Sequence, residues 1–174
     1  MKMWKKLAAC VLAAAMALTL LTACGGGGGG GSTTPVTQNT ELENKYVGYF
    51  QNYMDSYCGK TVNKDDTLRA IAYDNLPQAV SYMKSAIAGN ADYSKFQTLQ
   101  TKASTAIQKN GGMYGYLWAL PLTKEVSQLE MNQILDAYGV RGTMSDSKLK
   151  NVNKVGLAVT TSDGIDYVLI IVSD

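Results

Sequence analysis

The stretch Lys154–Asp174, KVGLAVTTSDGIDYVLIIVSD, decides how the chain is read. Two runs rich in Val, Ile, Leu and Thr flank Ser162-Asp163-Gly164. An Asp-Gly step between β-rich runs is a strong hairpin signal, because both central residues of the favoured two-residue turn sit at positive φ. The second run, Tyr167–Val172 (YVLIIV), is apolar at odd and even positions alike. A strand of that composition is covered on both faces, which predicts a central strand.

Working back towards the N-terminus, Met113–Leu122 (MYGYLWALPL) is aromatic and apolar and reads as another strand, closed by Pro121. Between it and the hairpin, Lys124–Gly139 carries Val126, Leu129, Ile134 and Leu135 towards a core as a helix stopped at Gly139, followed by a polar loop over Arg141–Asn151. Ahead of it lie three helical stretches. Glu41–Tyr57 shows Leu42, Tyr46, Tyr49, Tyr53 and Tyr57 at three- and four-residue steps, with Phe50 and Met54 widening the stripe and Gly59 as the stop. Asp65 or Asp66 caps a helix bearing Leu68, Ile71 and Ala72, and Pro77 fits the first turn of a continuation to Ala88. Asp92–Lys109 presents Phe96, Leu99, Ala103 and Ile107 on one face. Helices first and a small, mostly C-terminal sheet afterwards define an α+β class ending in a β-hairpin.

The first 24 residues belong to none of this. Met1–Lys6 holds three lysines and no acid, and Leu7–Leu21 is an apolar run. A basic start, a short apolar core and small residues before a break mark a secretory signal. Leu21-Thr22-Ala23-Cys24 resembles the bacterial lipobox. That resemblance implies diacylglycerol on the Cys24 thiol and cleavage just before it. Met1–Ala23 is then the signal peptide, Cys24–Thr40 a lipidated cysteine and tether, and Glu41–Asp174 a single globular domain. A membrane-spanning anchor is the alternative, but the apolar run is at the lower limit for crossing ~30 Å of hydrocarbon. Gly25–Gly31 with Ser32–Thr40 would give a flexible leash of ~20–25 Å. Poly-glycine here is no phosphate cradle, which needs a strand before it, a helix after it and a following Lys-Ser/Thr.

Charge and residue types bound the chemistry. The chain has 16 basic and 14 acidic side chains; Lys2, Lys5 and Lys6 leave with the signal, so the mature protein carries 13 basic against 14 acidic, a net charge of −1. Nothing there points to nucleic acid. The chain contains no histidine. Its absence removes Ser-His-Asp and Cys-His catalysis, histidine-ligated zinc and the usual general base near neutral pH. With Cys10 removed and Cys24 lipidated, Cys58 stands alone, as a small buried hydrophobe more readily than as a reactive thiol. No cofactor or metal is expected.

Ser-x-x-Lys, the spacing of a Ser-Lys nucleophile, occurs at Ser81/Lys84 and at Ser145/Lys148. Eleven serines and 14 lysines in 174 residues produce about one such spacing by chance, so the pattern is weak support for a hydrolase. The acid pairs Asp65-Asp66 and Asp163/Asp166 fit a helix cap and a hairpin turn. Tyr114, Tyr116 and Trp118 alternate on one strand face and are candidates for a surface patch; the plain alternative is that a helix covers them.

Element order and several spacings resemble the CAP superfamily of cysteine-rich secretory and pathogenesis-related proteins. Asn52-x-x-Asp55-x-x-x-Gly59 keeps the family spacing N-x-x-R-x-x-x-G with aspartate for arginine. Asp65-x-x-Leu68-x-x-x-Ala72 matches D-x-x-L-x-x-x-A, and Val155–Val172 is similar to the family's closing strand-turn-strand. The resemblance implies an α-β-α sandwich, with helices on both sides of a small, mainly antiparallel sheet. It supplies no site residues: the family cavity uses two histidines, the S-P-G-H segment reads TMSDS at Thr143–Ser147, and Glu125 and Glu130 fall on no alignable motif. The expected function is a surface-exposed lipoprotein with a non-catalytic domain, joined to the membrane by its lipid and open to an envelope polymer, a protein or a small ligand. The alternatives are an accessory structural protein of the envelope and a histidine-independent hydrolase.

Overall fold

The computed structural model describes residues 39–123 and 125–174. Cys24, the signal and most of the tether lie outside the described residues. In chain order the elements are α1 (Thr40–Cys58), β1 (Asn63–Lys64), α2 (Asp66–Ile87), α3 (Tyr93–Lys109), β2 (Gly115–Leu122), α4 (Gln128–Ala137), α5 (Val140–Met144), a 3-10 turn (Ser147–Leu149), β3 (Lys154–Ser162) and β4 (Ile165–Ser173).

The hairpin is as the Asp-Gly step requires. Ser162 pairs with Ile165, leaving Asp163 (φ 55°) and Gly164 (φ 73°) as a two-residue turn. The sheet order is β1-β3-β4-β2, so the run that is apolar on both faces lies in the interior. β3, β4 and β2 are antiparallel, and the two-residue β1 joins β3 in parallel.

Each face of the sheet carries its own core. Val168, Ile170 and Val172 of β4, with Trp118, Leu120 and Leu122 of β2, pack under α1, α4 and α5. Tyr167, Leu169 and Ile171, with Leu117 and Ala119, pack under α2 and α3. The chain is therefore an α+β protein of three layers, with helices on both sides of a mainly antiparallel sheet. Each large side chain taken fully out of water contributes about 1.5–3 kcal/mol. α2 comes unusually close to β3 at Gly156, where an added Cβ would stand 2.1 Å from the Leu68 carbonyl carbon and 2.2 Å from the Arg69 nitrogen.

Five expectations are corrected. Pro77 does not open a new helix; α2 runs through it. The lost hydrogen bond costs about 3 kcal/mol, and the continuous buried stripe Leu68, Ile71, Leu76, Ala79 and Met83 on both sides of it offsets that cost. Arg141–Asn151 is not a plain loop, because Val140, Met144 and Leu149 are buried and draw α5 and the 3-10 turn onto the core. α4 starts later than expected, at the Ser127/Glu130 capping box. That phase turns Met131 and Leu135 inward and leaves Leu129 66% exposed. Pro121 does not close β2, which continues to Leu122 on an outer edge. Asp166 is no turn residue: the turn is so short that position 166 is already a buried strand position, where it accepts from Tyr46 Oη at 3.1 Å and Thr161 Oγ1 at 2.6 Å.

Candidate functional site at the free edge of the sheet

β2 has β4 on one side and no strand on the other. The Asp174 N–H donates to the Tyr114 carbonyl at 3.2 Å. From there the register runs Tyr116↔Val172, Trp118↔Ile170 and Leu120↔Val168. Antiparallel alternation then turns the backbone groups of these even-numbered residues towards β4 and those of Gly115, Leu117, Ala119 and Pro121 away from it. Pro121 thus stands where its missing N–H removes no ladder bond. The outward N–H and C=O groups of Leu117 and Ala119 have no hydrogen-bond partner among the described residues, although the two residues are only 3% and 5% exposed.

What covers this edge is aromatic. Tyr82, Met83 and Ala86 of α2 and Phe96 of α3 approach from one face, and Tyr138, which caps α4, from the other. With Tyr116, Trp118 and Pro121 they enclose a cavity of about 160 Å³. A cavity of ~150 Å³ accepts one benzene ring, so the space suits one six-membered ring or one large apolar side chain. The Tyr82 and Phe96 rings lie 5.0 Å apart, as do those of Tyr116 and Trp118. Burial pushes the Tyr82 and Tyr138 phenols up, and the two hydroxyls being neighbours adds to the rise at Tyr138, so both stay neutral near pH 7. The Trp118 indole N–H is buried and has no acceptor among the described residues. A second hollow of about 190 Å³, lined by Gln100, Ser104, Ile107 and Gly115, continues along the same edge and shares Tyr116 and Leu117 with the first.

The residues singled out from sequence are dispersed. Trp118 packs inward, its ring centroid 5.9 Å from that of Phe50, and Tyr116 is half-buried beside it. Of the two readings of Tyr114, Tyr116 and Trp118, the covered face holds and the surface patch does not: α1 covers this face, and only Tyr114 is exposed. The Ser-Lys pairs do not form dyads. Lys84 donates to Asp163 at 3.1 Å and to Ser162, while Ser81 accepts from Lys95 at 3.5 Å. Ser145 Oγ donates to the Arg141 carbonyl at 2.9 Å as part of the α5 terminus. Asp65 caps α2. Glu125 pairs with Lys45, and Glu130 completes the capping box. Cys58 is half-buried against the core, and burial pushes its thiol up, away from thiolate character. Among the described residues no group of three or more Cys, Asp or Glu side chains is placed to hold a metal ion. No helix among them is long and apolar enough to cross a membrane.

Sequence reasoning missed the groove walls Tyr82, Phe96 and Tyr138, whose convergence depends on three separate elements. One signal was present: proline inside a β-rich run marks an edge strand. No family model matches the chain, nor does any curated protein or solved structure.

Proposed function

We propose that the protein is a bacterial lipoprotein, held at the membrane by a diacylglycerol on Cys24 and facing the extracytoplasmic side. Its globular part is a non-catalytic binding domain, a degenerate relative of the CAP superfamily. The observation that carries the binding reading is the aromatic cavity at the free edge of β2, which joins apolar walls to outward backbone groups of Leu117 and Ala119 that have no partner among the described residues. That combination is the usual make-up of a ligand site: mostly apolar, with a few convergent polar groups.

Three further points support the reading. The lipobox-like Leu21-Thr22-Ala23-Cys24 precedes a glycine-rich leash. The chain offers no histidine for acid–base work, and Ser81 and Ser145 are engaged elsewhere. The CAP resemblance rests on the order read from the sequence, helices, then a strand, a helix and a closing hairpin, and on the spacings Asn52/Gly59 and Asp65/Leu68/Ala72. An anchored domain of this kind meets envelope polymers, extracellular proteins and small ligands without needing a fixed orientation.

The anchor is tested by labelling cells with a palmitate analogue. The Cys24→Ala protein is expected to lose the label and to accumulate as uncut precursor. Normal processing of that variant would refute the lipid anchor.

A further inference from the structure

Resting on the binding-domain reading, we infer that the partner is an extended polypeptide segment. It adds to the sheet as a fifth strand along Gly115–Pro121 and seats one apolar side chain in the cavity between Tyr82, Phe96 and Tyr138.

Hydrogen-bond complementarity selects the occupant. The outward groups of Leu117 and Ala119 stand two residues apart, in buried residues, and have no partner among the described residues. A buried donor or acceptor left unpaired destabilises the state that contains it. Another strand supplies an acceptor and a donor at the same two-residue repeat of ~6.8 Å; a free ring or a sugar does not carry that repeat. The opposite edge of the sheet is partly covered by the chain itself. β1 pairs with the start of β3, and the Tyr73 hydroxyl lies against the Val159 amide.

The side-chain pattern agrees. The 160 Å³ cavity and the 190 Å³ hollow follow each other along one strand edge and meet at Tyr116 and Leu117. Strand-addition sites use main-chain bonds for affinity and successive pockets for alternate side chains. Pro121 has no N–H to offer, so the ladder ends there and spans about five residues of partner at ~3.3 Å each. The walls carry phenols and a phenyl ring rather than charges, so the seated side chain is uncharged. Seating requires Tyr138, 45% exposed, to rotate outward.

The test uses the full chain, ¹⁵N-labelled, in detergent micelles. The probes are four blocked pentapeptides, with Thr and Val flanking a central Leu, Met, Phe or Tyr, and p-cresol as a ring without a backbone. At least one peptide is expected to shift the Leu117 and Ala119 amides downfield and slow their exchange, with the Trp118 and Leu120 backbone amides little changed. N-methylation of one alternate set of peptide positions is expected to weaken binding at least ~tenfold, about 1.4 kcal/mol, and of the other set to leave it intact. Ala86→Trp, a substitution at an exposed cavity wall, is expected to weaken binding by a similar factor. If p-cresol shifts the Trp118 indole signal while no peptide moves Leu117 and Ala119, strand addition is wrong and the binding site stands. If no probe produces a response, the binding-domain reading falls as well. Unchanged peptide affinity in the Ala86→Trp protein would place the contact elsewhere and overturn the proposal.

Discussion

Glu43 is 1% exposed, yet its surroundings keep it charged. Burial alone would raise its carboxyl. Hydrogen bonds from Arg69 (2.5 and 3.0 Å) and Tyr73 (2.8 Å) outweigh that, helped by the charges of Arg69 and Lys64, and hold it below the ordinary value of 4.5. The Arg69 guanidinium also lies over the Tyr73 ring at 4.9 Å. The cluster fastens α1 to α2. Removing one partner of a buried pair costs about 3–5 kcal/mol. Arg69 is 27% exposed and rehydrates in part, so Glu43→Gln is expected to destabilise the fold by about 2–3 kcal/mol in urea unfolding at pH 7. A depressed carboxyl contributes stability that is present above 4.5 and is lost as pH falls through the native value. Wild type should therefore lose stability below pH 4.5 along a limb that Glu43→Gln lacks in part. Equal stability of the two proteins at pH 7 would show that the cluster contributes nothing. Tyr73, pushed up to about 12 mainly by burial and then by its bond to Glu43, adds a matching loss as pH rises from 10.0 towards that value.

At the scale of elements, the contact of α2 with β3 turns on one position. At Gly156 a methyl group would meet helix backbone rather than a side-chain tip, so nothing nearby can yield without moving α2. Gly156→Ala is expected to cost about 3 kcal/mol or more, read as a lowered midpoint in thermal unfolding. An unchanged midpoint would mean that α2 does not lie against β3 as described. Local signals were legible where they were dense. Asp163-Gly164 announced the hairpin, Asp92 and Asp65 announced their helices, and the two-faced Tyr167–Val172 announced the interior strand. Sparse ones were not. α5 is set by Val140 and Met144 alone, and α2 passes through Pro77 because packing outweighs the local penalty. Nothing local in the sequence singles out Glu43, since its partner Arg69 lies 26 residues further on. The groove was hidden for the same reason: its walls come from α2, α3, β2 and the end of α4.

Across the described residues, two helical layers cover both faces of a four-stranded sheet and leave the outer edge of β2 without a strand partner beneath tyrosines. Edges of this kind are normally blunted by charge, bulges or cover, because an open ladder recruits other strands. Here the cover is aromatic and part of it is exposed, while a leash from Cys24 would leave that edge free to face any direction. In the proposed function, a tethered domain with this edge would serve to capture a partner. Residue-resolved amide hydrogen exchange of the unliganded protein tests the edge most directly. The Trp118 and Leu120 amides, bonded to β4, should be protected to the level of global unfolding, and the Leu117 and Ala119 amides should exchange at least ~100-fold faster in spite of their burial. Equal protection at all four positions would show that the edge is already paired, and the binding element would not exist.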